Sequence, residues 1–350
     1  MTTLTSDRVE ADLDPAAFMA QAEAAGWGDG LPLIPPTEER VREHVDASGR
    51  PPDDVVAVLE TVATRFTVEK IAVNAVMAGT RPATMPLLCA AIEAMTDPSQ
   101  ELSGLNATTA PVVSALFVNG PIRHRLHVPF AGGCFGGEAG PGPAIGRALR
   151  LVMRNVAGQR IGTTSESVFG QPARVTGIVV GEFEERSPWA PLAERRGVPG
   201  DAVTAYAAMG TANILDMVAA TGADVLEVIG KSVAYLGTNA FVPQAVLAEV
   251  AIAINPTWAM EIVGRDFPDI RDVQELIWRH ASLPVGWFPA HFHPDLEEWG
   301  RIKPDGRVHL VSSPEDVIVF VCGGNGGLHA TFMQCFSGTL AATRSVRAPA

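Results

Sequence analysis

The segment Ser103–Asn155, SGLNATTAPVVSALFVNGPIRHRLHVPFAGGCFGGEAGPGPAIGRALRLVMRN, constrains this chain more than any other. It joins a polar Asn-Ala-Thr-Thr turn, an apolar run ending at Asn119-Gly120-Pro121, and a loop with seven glycines between positions 132 and 146. That loop leads into a helix bearing Arg147, Arg150 and Arg154. Ordering so many glycines carries a large entropic cost, which points to a loop kept for binding. A second glycine cluster, Gly323-Gly324-Asn325-Gly326-Gly327, follows the apolar run Asp316–Cys322 in the geometry of a strand feeding a site loop.

Exposed backbone amides in such loops form anion-binding nests, and a helix starting near Pro143 would add its positive end. Neither loop matches the dinucleotide fingerprint or the phosphate loop ending in Lys-Ser/Thr, so the sequence identifies no cofactor. Glycines also let backbones pass closely, which is the competing structural explanation. The ligand expected is a small anionic metabolite.

Local signals define several elements. Residues 12–26 read as a capped helix, and Trp27-Gly28-Asp29-Gly30-Leu31-Pro32 through Pro35-Pro36-Thr37 as an extended arm, because proline lacks the amide donor and restricts its predecessor. Helices are predicted at 67–79, with Gly79 as C-cap, and at 85–95. Strands are predicted at 173–183, 246–254 and 316–322, and helices at 213–220, 224–234, 258–263 and 270–280. The tail beyond Ala342 is expected to be loose or draped over a neighbour. The second half repeats the style of the first, and the chain is read as α/β, with two α/β lobes whose glycine-rich loops meet at a cleft. The divisions are 1–50 (helix and proline-rich arm), 51–190 (first lobe) and 191–350 (second lobe).

Within this frame, Cys134 gains nucleophilicity if it sits at a helix N-terminus near Arg147, and Cys322 is a second candidate. Cys89, inside an apolar helix, reads as inert core. Lys70 and Arg123 supply positive charge for a carboxylate, thiocarboxylate or phosphate ester, and a desolvated Lys70 can act as acid or base. Asn74, Asn106, Thr108, Thr109, Asn119 and Asn239 are polar residues in apolar contexts, placed to orient a ligand with Arg147 and Cys322. His127, beside Arg123 and His124, is a candidate proton carrier. His291 and His293 share one side of an extended segment and would need Asp295 or His329 to complete a metal site; structural histidines are the better reading, and no metal is assigned.

Net charge excludes one large class. With 26 Lys and Arg against 39 Asp and Glu, a charge of −13 and no basic stripe, nucleic acid is not an expected partner. The first residues are acidic where a signal peptide is basic, and no run reaches the roughly 20 apolar residues of a membrane span. A cytoplasmic homo-oligomer with free thiols, away from membranes, is expected.

Six ordered phrases then resemble a bacterial family met beside small (seleno)proteins with a U/C-Gly-Ser-Cys motif: the Trp27–Thr37 arm, TVEKIAVNAVMAG (67–79), NATT with VNGPIR (106–123), IGRALRL (145–151), SPW (187–189) and LGTN (236–239). The resemblance implies sulfur or redox chemistry and a small thiol or selenol protein as partner. The family's Cys-x-Pro-Glu phrase is here Thr80-Arg81-Pro82-Ala83, and its Pro-Glu-His-Ala phrase is Asn255-Pro256-Thr257-Trp258-Ala259, so any chemistry those residues carried is lost or moved.

The function expected is an enzyme of lyase-type or thiol-dependent chemistry in a specialised bacterial biosynthetic pathway. The alternatives are a scaffold partner of a small redox protein, presenting Trp278, Trp287, Phe288, Phe292 and Trp299 as an apolar patch, and a metal-dependent hydrolase using His291 and His293.

Overall fold

The computed structural model describes residues 3–12 and 14–347 and has an α/β architecture around a curled mixed sheet. The N-terminal third is helical. α1 (Pro15–Ala24) starts where the Asp14 carboxylate accepts from the amides of Ala16 and Ala17, and α2 (Glu38–Ser48) is capped by Thr37 and stopped by Gly49 at φ +67°. Between them Trp27–Pro36 is an arm without regular structure. The hairpin β1 (Val55–Leu59) and β2 (Thr64–Thr67) leads into α3 (Val68–Ala78), whose Thr67 cap and left-handed Gly79 stand where the sequence places them. α4 (Met85–Met95) follows, and a short α5 (Leu102–Ala107) leads to the sheet.

The sheet is assembled from two similar units. In the first, β3 (Val113–Asn119) is followed by α6 (Ile122–Leu126) and α7 (Gly142–Asn155), then by β4 (Ile178–Gly181) parallel to β3 and by β5 (Ala202–Leu215) antiparallel to it. The second unit begins with α8 (Gly222–Val233) and β6 (Val250–Ile254), continues through α9 (Ile270–His280) and the small hairpin β7 (Ser282–Pro284) with β8 (Arg307–His309), and ends in β9 (Val317–Val321) and β10 (His329–Cys335). β9 runs parallel to β6 and β10 antiparallel to it. β5 and β10 pair in the middle, from Leu215 opposite His329 to Gly210 opposite Gln334, so the order β4-β3-β5-β10-β6-β9 reads alike from either end.

Side-chain alternation explains why both faces are covered. Ala115, Phe117, Val180 and Tyr206 point into the concave side, while Leu116, Val118, Val179 and Val203 point out against α3, α4 and α7. On the concave side the Phe117 ring lies 4.6 Å from that of Phe320 and 5.8 Å from that of Tyr206. Aromatic packing thus links β3 to β9, strands that are far apart in the sheet order, and curls the sheet into a half-barrel.

Two expectations are corrected. Residues 213–215 continue β5 and 216–220 are irregular, where a helix over 213–220 was expected, because β10 supplies a pairing partner for residues 208–215 of the strand. Residues 342–345 are not loose: as β11 (Ala342–Ser345) they pair antiparallel with the first residues of β5, and the rest of that expectation, at residues 348–350, lies outside the described residues.

Candidate functional site

The curl brings the C-terminal ends of β4 and β9 together. Phe183 donates its amide to the Val321 carbonyl at 2.7 Å, closing the seam. The strip Pro129–Phe130 is threaded through it, with the Pro129 carbonyl accepting from the Gly181 amide at 2.9 Å and the Phe130 carbonyl from the Gly323 amide at 2.8 Å. These bonds fix the glycine loop after Phe130 against the loop after β9. A Cβ on Gly324 would stand 3.3 Å from the Gly132 Cα, so the loops touch backbone to backbone at a place where only glycine fits without adjustment.

This contact unites Cys134 and Cys322, separated by more than half the chain. Both are buried in one apolar cluster and their side chains share a hydrogen bond. That bond to Cys322 holds the Cys134 thiol below its ordinary value; burial opposes it, and the amides of Cys134, Gly323 and Phe135 reinforce it. Cys322 moves the other way: the bond to Cys134, burial, and the negative charges at Cys134 and Glu182 push it well up. Of the two thiols, Cys134 is therefore the one that ionises more readily. The amides that favour its ionised form belong to the two glycine loops expected to bind an external anion. Burial pushes the other cysteines, Cys89 and Cys335, up to about 12.

Glu182, directly after β4, is 1% exposed. Its Oε2 accepts from Asn119 Nδ2 at 2.6 Å and from the Leu192 amide at 2.7 Å, and burial raises its carboxyl above the ordinary value. Asn119 also donates to Glu184 at 2.9 Å, so its role is to join the end of β3 to the acidic strip after β4. Arg123 is buried below this strip. It donates to the Glu182 and Gly120 carbonyls, to Glu184 at 2.9 Å and to Glu185 at 3.0 Å, and its guanidinium lies 5.0 Å from the Phe130 ring centre. A cation so fully engaged supports the seam from behind instead of presenting charge to a ligand.

The remaining residues singled out from the sequence lie elsewhere. Lys70 and Asn74 line a cavity of about 810 Å³ with Trp27, Pro35, Arg8 and Asn155, beside the irregular N-terminal segment; no residue of either glycine loop lines it. There Lys70 donates to the Arg65 carbonyl, and Asn74 bonds Asn155 at 2.8 Å. Arg147 is paired with Asp29. Thr108 caps the Ala110 amide, Thr109 is exposed, and Asn106 is buried with its Nδ2 unpartnered. Asn239 accepts from Ser337, and His127 is exposed in a left-handed turn at φ +55°.

Among the described residues no three His, Cys, Asp or Glu side chains gather as a metal site requires; His293 bonds the Phe288 carbonyl and Asp295 accepts from Gln244. Of the five aromatic residues proposed as a patch, Phe288 is buried, and Phe292 and Trp278, the latter stacked on His309, are half-buried, which leaves Trp287 and Trp299 exposed. Among the described residues no helix is long and apolar enough to cross a membrane.

Sequence reasoning missed Glu182 and Phe130. The only signal for Glu182 was its place at the end of a β-branched run, the position that Cys322 occupies after β9. Compared with family models, curated proteins and solved structures, the chain matches none.

Proposed function

We propose that this protein is an enzyme of thiol-dependent chemistry, with Cys134 as the nucleophile and the glycine loops of two α/β lobes forming the cleft above it. One observation carries the reading: loops from the two units of the sheet touch at Gly132 and Gly324 and bring two thiols together, and neighbouring backbone amides lower the Cys134 thiol below its ordinary value. Both loops run along the surface, with Gly132, Gly133, Gly136 and Gly324 exposed and Cys134 buried beneath them. A small anionic metabolite or a small thiol- or selenol-bearing protein is the substrate class proposed, with catalysis in the cytoplasm.

Alkylation of the native protein with iodoacetamide tests it. Cys134 is expected to be carbamidomethylated first, already below the pH at which an ordinary cysteine reacts, while Cys89 and Cys335 remain unmodified until the chain unfolds. Uniform reactivity of the four cysteines, or none at Cys134 before unfolding, overturns the assignment.

A further inference from the structure

Cys322 and Glu182 have no part in a nucleophile that works alone. Cys322 lies against Cys134, and Glu182 lies across the seam, because the Phe183–Val321 hydrogen bond sets residue 182 of one strand end beside residue 322 of the other. Both hydrogen bonds received by the Glu182 carboxylate end on Oε2, leaving Oε1 without a hydrogen bond among the described residues. A buried carboxylate with one free oxygen, at the strand end beside a buried thiol that itself lies against a second thiol, forms a line of three groups along which one proton can move.

Resting on the nucleophile assigned above, we propose that Cys322 is the resolving thiol of a two-electron dithiol–disulfide couple, that Glu182 accepts its proton, and that the substrate is a small disulfide.

The steps balance as follows. The Cys134 thiolate attacks one sulfur of R–S–S–R′; a Cys134–S–S–R bond forms, the substrate bond breaks, and R′S⁻ leaves to take a proton from water. Cys322 then gives its proton to Glu182, and its sulfur attacks Cys134 Sγ. The Cys134–Cys322 disulfide forms and RS⁻ leaves, taking the proton back from Glu182. The dithiol has lost two electrons and the substrate disulfide has become two thiols. An external dithiol resets the enzyme by the same exchange in reverse and is itself oxidised to a disulfide.

The charge on Glu182 already acts at Cys322, as expected for neighbours in such a relay. Cys335 and Cys89 are held apart from it, protonated and buried, and so do not compete.

The probe is 5,5′-dithiobis(2-nitrobenzoate) added to the native full-length chain, with release of the coloured thiolate followed by absorbance and the product by intact mass. The expected result is two thiolates released per chain and a protein lighter by two hydrogens. C322S is expected to release one and keep the mixed disulfide on Cys134. E182Q is expected to slow the second release about a hundredfold relative to the first. One equivalent from the wild-type chain, with a lasting adduct on Cys134, overturns the resolving role while the nucleophile stands. Absence of release from the native chain overturns the nucleophile itself. Unchanged second-phase kinetics in a folded E182Q overturn the role of Glu182.

Discussion

Arg147 and Asp29 meet through two hydrogen bonds of 2.7 Å, Nε to Oδ2 and Nη2 to Oδ1, which fasten the proline-rich arm to the helix after the glycine loop. Arg147 also donates to the Pro32 and Leu31 carbonyls, so a single guanidinium holds the whole Gly28–Pro32 turn. Both partners are largely buried. R147A is expected to lower stability by about 2 kcal/mol, and a double-mutant cycle with D29N in urea should show most of that as coupling. Burial works to raise the Asp29 carboxyl, but hydrogen bonds to Arg147 and Leu31 and the Arg147 charge outweigh it, leaving it below its ordinary 3.8. The contribution of a depressed carboxylate is complete above that value and fades as pH falls through the lower folded value. D29N should therefore flatten the acid limb of stability against pH.

Arg123 offers a harsher test of buried charge. Its replacement by methionine leaves Glu184 and Glu185 facing each other without a cation, an expected loss of about 3–5 kcal/mol in equilibrium unfolding. Lysine should rescue little, since a single ammonium cannot span two carboxylates and two carbonyls. Glu185 is held down to about 2, burial being outweighed by hydrogen bonds to Arg123 and His124. In the wild-type chain its stabilisation is full above the ordinary carboxylate range and is lost as pH falls toward 2. In R123M that loss should disappear; since Glu185 is half exposed, the effect is modest and best read at low salt.

Gly146 lies where α7 crosses the turn before β4, and a Cβ there would stand 2.1 Å from the Thr176 carbonyl oxygen. G146A should cost about 3 kcal/mol or more by thermal unfolding, since two backbones must separate. G158A is the control: φ is +70° but the surroundings are open, so the expected cost is about 1 kcal/mol. Equal losses in both would mean that backbone strain, and not the crossing, governs Gly146.

Glu69 ties down the N-terminal segment over the large cavity by accepting from the amides of Thr5 and Ser6 and from the Thr5 hydroxyl, at 2.8–3.0 Å. E69A should release the segment without unfolding the core, seen as rapid cleavage near residues 3–12 in limited proteolysis and fast amide exchange there. Unchanged protection would show that the segment is held by its apolar contacts alone.

Where local chemistry decides structure, the sequence was legible. α3 lies between a Thr cap and a left-handed Gly, and α4 between Pro82 and Asp97-Pro98, so their limits could be read directly. β5 was misread beyond Asn213 because Ile214, Met217 and Val218 mimic helical spacing; its true state depends on His329–Gln334, more than a hundred residues away. The two cysteines were each recognisable as candidates beside glycine, but their meeting depends on the closure of the sheet, which no local pattern encodes. The same limit hid Glu182, whose partner Asn119 is 63 residues distant. Lys70 and Arg123 lie in different places, one at the large cavity and one on Glu184 and Glu185, for a related reason: composition reveals a charge, not what it already bonds.

The curled sheet is, in mechanical terms, a ring with two joints. One is the long β5–β10 ladder; the other is the seam, held by the backbone bonds of Gly181, Phe183 and Gly323. The seam is held by fewer backbone bonds than the ladder and is the joint beside the two cysteines. Strain on the ring would therefore be taken up there before the ladder gives.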